Sequence, residues 1–490
     1  MDYISGTNRS QTELFPESID DYIGENNSVR VIDAFINSLD MVELGFEHSI
    51  LAETGRPPYN PRDLLKLYVY GYMNRIRSSR RLETETKRNL ELMWLLCRLS
   101  PDHKTIARFR SENAKALKKV FRSFVQLCDK LELYGKELEA LDGSKFKAVN
   151  SKERNFTTEK LQKRIAMIDE KIGKYLNEMD AADREEGESE KEKSIVEIRE
   201  IIDGLNKRKD RYQSYANELE KAGETQKSLT DPDSRLMKAN GKMDVCYNVQ
   251  TVVDSKHKLI VEFEVTNHPE DSNQISPMSA MAQDILGKKD LTVTVDAGYN
   301  SVQDIVFSIE NGVTVHAAET NFDVCVPTTL PEFIITKHRE GKNVYYPDRN
   351  IVLCPMGKVL YPGFYHKTKK KGIYQNSKTC KVCACKCTKE KRGRRYEVPM
   401  KEENFTKVCD DSNLQVKQIR VKADKSIVRQ RKSIVEHPFG TLKRNMDAGY
   451  CLTKRIPKVR GEFSLAFLAY NLKRVINILG GAKLASVCME

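Results

Sequence analysis

Three acidic residues far apart in the chain, Asp142, Asp296 and Glu436, stand where their type and surroundings could do chemistry. Glu436 lies in Val435-Glu436-His437-Pro438-Phe439-Gly440-Thr441-Leu442-Lys443-Arg444, inside a basic helical segment. From Lys417 to Arg474 there are 15 Lys/Arg against four Asp/Glu. A lone carboxylate among cations is ordinarily a salt-bridge partner on a solvated face. It can also be a metal ligand where a polyanion docks, because the cations grip phosphates while the carboxylate holds Mg²⁺. Asp142 and Asp296 each fall within or at the end of a β-type run, and this favours the second reading. Phosphodiester cleavage at neutral pH needs a nucleophile made from water or a hydroxyl, and charge neutralisation on the leaving oxygen. Two divalent ions (Mg²⁺ or Mn²⁺) roughly 3.5–4 Å apart supply both, and three carboxylates from separate elements can hold such a pair.

The elements that must position these acids can be read from periodicity. Residues Glu137 to Val149 alternate well enough for a strand with Asp142 in its middle. Val245–Asp254 and Leu259–Val265 are β-rich and joined by Ser255-Lys256-His257-Lys258, a hairpin signature. Asp271–Leu286 reads as helix, and Leu291–Tyr299 as a strand ending at Asp296 before a glycine turn. Ser301–Asn311 is helix-like and Val313–Ala317 a further strand. That order predicts an α/β layout with a mixed sheet. Asp142 and Asp296 would sit side by side if their strands are neighbours, with Glu436 on a helix crossing the sheet. Gly461 to Leu479 closes this part as an amphipathic helix.

Charge and composition narrow the partners. Residues 1–55 carry 11 acids and only two Arg, an acidic helical lead-in, whereas residues 56–110 carry 13 basic and five acidic residues. Two basic blocks without a lipid-facing helix favour nucleic acid over a membrane. Asn60 and Pro61 make a cap and first residue for a helix through Tyr72. Ser100 to Arg110 looks like a capped turn leading into a basic helix, which gives residues 56–135 the outline of a helix-turn-helix-like DNA module with Lys104, Arg108 and Arg110 towards DNA. A helical bundle with a charged outer face fits the same pattern. Without a spanning segment or a signal peptide, the expected location is cytoplasmic, at the nucleoid.

Two stretches interrupt this plan. Leu161, Ile165, Ile168, Ile172, Tyr175 and Met179 step at heptad-like spacing, and Ile198, Ile202 and Leu205 resume it. That predicts an antiparallel helical hairpin over 158–222, an arm or pairing surface. Residues 319–425 are rich in Pro, Lys and Cys. Of 12 cysteines, five lie between 354 and 387; Cys380-x-x-Cys383 has metal-ligand spacing, and Cys387 with Cys354 or Cys385 could complete a structural Zn²⁺ site. Unligated thiols remain the other reading.

At this point the sequence resembles the DDE transposases of bacterial insertion sequences. The residues that carry the resemblance are Leu141-Asp142-Gly143-Ser144, Val295-Asp296-Ala297-Gly298-Tyr299 and Ile434 to Lys443. Tyr247-Asn248-Val249-Gln250, Ala469 to Arg474 and the Arg56–Arg110 block add to it. The resemblance implies a ribonuclease-H-like mixed-sheet α/β core from 136–318 and 426–480, with Asp142, Asp296 and Glu436 as ligands of two Mg²⁺ or Mn²⁺ ions. It implies cleavage of double-stranded DNA at an element's terminal inverted repeats, joining of the 3′-hydroxyl to target DNA, and a homo-oligomer. The family often places a Tyr, an Arg and a Lys around the glutamate. Here Lys443 matches the lysine, while Arg429 and Lys432 stand where the tyrosine and arginine are expected. Helical spacing puts Arg429, Lys432 and Glu436 on one face, and these cations with Lys443 and Arg444 are the expected phosphate contacts. A metal-dependent nuclease without strand transfer, or a DNA-binding derivative without catalysis, are the rival readings.

Overall fold

The computed structural model describes residues 18–489 except 52, 55, 56, 185–189, 240, 300, 318–321, 328–343, 347–350, 355–358, 378, 379, 381, 382, 384–392, 403–415, 422 and 423. The first helices are α1 (Ser28–Asn37), α2 (Pro61–Met73), α3 (Ser79–Glu85), α4 (Leu90–Leu95), α5 (His103–Glu112) and α6 (Ala114–Lys130). Helices α1, α2 and α5 each start where the sequence supplies a cap. Asn27 accepts from Val29 N at 3.0 Å, Asn60 from Arg62 N at 2.9 Å, and Asp102 from Lys104 N and Thr105 N at 2.9 and 3.1 Å. Caps of this kind contribute about 1 kcal/mol apiece.

Strand β1 (Glu139–Lys147) follows. Next come β2 (Asn155–Thr157), two long helices α7 (Thr158–Arg184) and α8 (Glu190–Ala222), and β3 (Gln226–Ser228). Pairing of β2 with β3 ties the base of the two helices together. Phe156, Leu161 and Leu219 make a small core of their own there. Then come β4 (Arg235–Ala239), β5 (Lys242–Asp254), β6 (Ile260–Thr266), α9 (Ile275–Leu286), β7 (Leu291–Val295), α10 (Val302–Glu310) and β8 (Val313–Ala317).

These strands build a mixed sheet. Its path is β4-β5-β1-β7-β8, with β6 also on β5. β5 is antiparallel to β4, β1 and β6, while β1, β7 and β8 run parallel. Helices α9 and α10 make the crossovers that parallel strands require. Beyond β8 lie β9 (Phe322–Pro327), β10 (Val344–Tyr346), β11 (Ile351–Leu353), β12 (Val359–His366), β13 (Lys371–Gln375), β14 (Arg395–Pro399) and β15 (Val416–Val421). Strands β10 to β14 form a second sheet with its own core, in which Cys354 packs with Val352, Leu360 and Tyr374. Helices α11 (Lys425–Gly440), α12 (Ile456–Leu479) and α13 (Gly481–Met489) end the chain.

Helix α12 joins the halves of the molecule. Val459, Phe463, Phe467, Leu468 and Leu472 are buried, and the helix packs on α2, α5 and α6 on one side and on β6 on the other. One continuous apolar cluster therefore runs from α1 through the N-terminal helices to the sheet and α12. Helix α1 is inside it, with Val29, Val31, Ile32, Phe35 and Ile36 buried. Its neighbour α13 approaches so closely that a side chain at Gly481 would overlap the Asn26 backbone. Asn471 extends the sheet's hydrogen bonding from the helix. It accepts from Ile260 N at 2.9 Å and donates to Ile260 O at 2.8 Å, where a bulge between Val252 and Val253 interrupts pairing with β6.

Candidate active site

Register alone brings two of the three acids together. On the parallel β1–β7 pair Glu139 faces Val293 and Ala140 faces Thr294. Two residues further along the same register Asp142 comes opposite Asp296, just past the end of β7. Neighbouring strands are about 4.8 Å apart and matched residues share a face, so both carboxylates point to the same side. Asp142, Ser144 and Phe146 alternate onto that face, and Phe146 packs against Phe439 of α11 and Phe463 of α12. Helix α11 thus lies over the aspartates. Asp424 caps it, accepting from Ser426 N at 2.8 Å.

The side chain that α11 delivers to the pair is Arg431. Its Nη1 is 3.4 Å from Asp142 Oδ1 and its Nη2 is 4.0 Å from Asp296 Oδ2. Burial pushes the Asp142 carboxyl up to about 7; Arg431 opposes the rise, and the carboxylates of Asp296 and Asp271 add to it. Two carboxylates thus face one guanidinium. Half-buried hard oxygen donors are of the type that suits a divalent cation, and the cation that faces them here is the arginine.

Glu436 does not join this pair. It is 64% exposed and lies 3.7 Å from Lys432 Nζ, one turn back on the same helix. Five residues separate Arg431 from Glu436, a rotation of about 140° around the helix axis, so the two project to different sides. Among the described residues no three acidic, cysteine or histidine side chains are gathered closely enough to hold one metal ion.

The other sequence-derived positions divide between buried and exposed. Lys443 reaches β1, where its Nζ donates to Ser144 Oγ at 2.6 Å and sits 4.6 Å from the Phe146 ring centroid. Burial pulls its ammonium below the usual lysine range. Arg429, Lys432 and Arg444 are exposed, as are Lys104 and Arg108, the last paired with Glu112 at 2.8 Å. Arg110, expected to face DNA, is instead buried. The helical repeat turns it inward with Ile106 and Phe109. There its Nη1 donates to Tyr72 Oη at 3.2 Å and Arg77 O at 3.4 Å, and its guanidinium stacks over Tyr68. Cys354 is buried, and Cys380 and Cys383 are partly buried. Cys387 and Cys385 lie outside the described residues.

Sequence reasoning did not single out Arg431, nor the network behind Gly143. On the face of β1 opposite Asp142, Asp271 accepts from Lys145 Nζ at 2.9 and 3.1 Å and from Asn248 Nδ2 and Gln250 Nε2, both at 2.7 Å. Tyr299 donates to Gln250 Oε1. The Asn-x-Gln alternation of β5 was the available signal, since it puts both amides on one face.

Residues 17–112 match a transposase domain (DUF772), and residues 353–476 match a transposase DDE domain. Both matched stretches are those of transposases, the second of the DDE type. The first match covers helices α1 to α5 and the second includes Glu436 and most of α12. Neither reaches Asp142 or Asp296, whose proximity rests on the sheet. No curated protein and no solved structure matches the chain. As a transposase it is a DNA-processing enzyme of recombination, from a family that generally works with divalent metal ions. No described helix is long and apolar enough to cross a membrane.

Proposed function

We propose that this transposase cuts double-stranded DNA at the ends of an insertion sequence and joins the freed 3′-hydroxyl to target DNA. The side chains of Asp142, Asp296 and Glu436 would hold its Mg²⁺ or Mn²⁺. Bound there, divalent ions supply the charge that activates the attacking oxygen and neutralises the leaving one. The observation that carries the reading is the register pairing of Asp142 with Asp296 beneath a basic helix. Arg429, Lys432 and Arg444 lie exposed on or just after that helix, where they can grip phosphates. Lys443, anchored on Ser144, keeps a positive charge beside the strand that bears Asp142.

The ribonuclease-H-like core implied by the sequence would comprise the mixed sheet with α11 and α12. A second copy is the expected partner, because paired DNA ends need paired active sites. Exposed Met167, Leu176, Val196 and Ile201 make the α7–α8 arm its candidate contact. Deleting residues 160–220 without changing the oligomer would rule that contact out.

The deciding experiment incubates purified protein with a labelled duplex carrying the inverted repeats that flank its gene. Wild type is expected to nick and join the labelled end in Mg²⁺ or Mn²⁺. Asp142→Asn and Asp296→Asn are expected to bind the duplex and do neither. Nicking without joining would make the protein a nuclease, and nicking by both variants would remove the aspartates from the chemistry.

A further inference from the structure

We infer that Arg431 is a resident counter-ion that keeps divalent cations off the aspartate pair until DNA is bound. The inference rests on the metal-binding reading of Asp142 and Asp296 given above and adds an order of assembly to it.

The geometry is specific to this side chain. Of the cations on α11, Arg429 and Lys432 are exposed and face away, whereas Arg431 is only 18% exposed and meets both aspartates. Its two terminal nitrogens are divided between the two carboxylates, so the planar guanidinium bridges the space that a shared cation would need. One of them, Nη1, is buried without a well-formed hydrogen bond, and its distance to Asp142 is long for a charge-assisted contact. The arginine is thus held by charge more than by fitted hydrogen bonds, and such a contact can be exchanged. A phosphate offers the same guanidinium two oxygens in bidentate geometry. The helix already carries Arg429 and Lys432 on its exposed side, so DNA docking there brings phosphate close to Arg431 as well.

Two consequences follow from linkage. A divalent ion and the guanidinium compete for the same carboxylates, so the DNA-free protein binds metal weakly. A duplex that draws Arg431 onto phosphate removes the competitor, so DNA and metal raise each other's affinity by one common factor. The chain would then be poorly loaded for cleavage when it is not on DNA.

The test is a Mn²⁺ titration followed by electron paramagnetic resonance, with and without a duplex, on wild type, Arg431→Gln and Arg431→Lys. No catalysis is read. Without DNA, R431Q should bind Mn²⁺ about tenfold more tightly than wild type, within the usual range of such couplings. R431K, which keeps one charge, should stay near wild type. Adding duplex should tighten Mn²⁺ binding to wild type and leave R431Q nearly unchanged. Should R431Q fail to fold, the wild-type comparison with and without duplex still decides, since an unchanged Mn²⁺ affinity overturns the inference. Equal or weaker binding by folded R431Q overturns it too, while leaving the aspartates as ligands. If neither protein binds Mn²⁺ more tightly than Asp142→Asn, with or without duplex, the metal-binding reading itself falls.

Discussion

Arg77 and Glu462, 385 positions apart in the chain, form an ion pair at 2.6 Å with both side chains below 5% exposed. Glu462 sits on α12 and also accepts from Leu452 N at 2.9 and 3.0 Å, Thr453 N at 2.9 Å and Thr453 Oγ1 at 2.7 Å. Arg77 donates to Asp447 O and Tyr450 O. The pair therefore pins the loop between α11 and α12 to the N-terminal helices. The family's two matched regions meet at this contact as one body.

Removing one partner leaves the other charge buried and alone. Arg77→Met or Glu462→Gln is expected to cost about 3–5 kcal/mol, read as a lowered urea midpoint with unchanged slope. The double variant should cost clearly less than the sum of the two. Additive costs would mean that the two side chains act independently.

Gly143 is required by the approach of Asp271 and Gln250, whose side chains occupy the space that a Cβ would fill. Neither neighbour is a free chain end, because Asp271 is fixed by Lys145, Asn248 and Gln250. Gly143→Ala is expected to destabilise by about 1–3 kcal/mol through overpacking and to shift Asp142 beside it. A melting temperature equal to wild type would refute that account of the Asp142-Gly143-Ser144 sequence.

How far these features could be read in advance depends on what generates them. Alternation places Asp142 within β1, and the run ending at Asp296 becomes β7, because strand period and burial are local properties of sequence. Side chains whose direction is set by packing were not legible. Spacing back from Glu436 selects Arg429 and Lys432, yet burial of Ile434, Val435 and Phe439 rotates α11 so that Arg431 meets the aspartates. Charge counting likewise assigned Arg110 to DNA, since a composition cannot tell an inward cation from an outward one. The acidic lead-in hid a buried helix, as the apolar residues of α1 are covered not only by α2 and α4 but also by α13, at the far end of the chain.

Glu139 gives a pH-dependent prediction away from the site. It is fully buried, both its carboxyl oxygens lack partners, and in register it faces Asp254. Asp254 accepts from Gly135 N and Lys136 N, both at 2.9 Å, and from Lys256 N at 2.8 Å. Burial, with the Asp254 charge second, raises the Glu139 carboxyl well above its ordinary value of 4.5. The folded state thus keeps a proton that the unfolded chain loses. Stability from this group is complete below the unfolded value and falls as pH rises towards the folded one. Glu139→Gln removes the titration, so its advantage over wild type should grow from pH 4.5 upward. Each unit of pH within that interval is worth about 1.4 kcal/mol. Paired urea melts at several pH values check this, and a pH-independent difference would refute it.

Glu436 and Asp142 should fail in different ways. Glu436 is exposed and paired only with Lys432 on its own helix, whereas Asp142 is half-buried beside Asp296. In the protein without DNA, Glu436→Gln should therefore bind Mn²⁺ within about twofold of wild type, the ligand lost being one that does not yet face the pair. Asp142→Asn should lose most of that binding. On a duplex with matched ends both variants should lose cleavage by at least about a hundredfold, the scale of removing a group that acts on the developing charge. Calorimetric Mn²⁺ titration and gel-resolved nicking measure the two quantities separately. If Glu436→Gln weakens DNA-free Mn²⁺ binding as much as Asp142→Asn does, then α11 already presents Glu436 to the ion in solution, and the outward position of that carboxylate is not its working one. If Glu436→Gln cleaves normally, the third acid lies elsewhere in the chain.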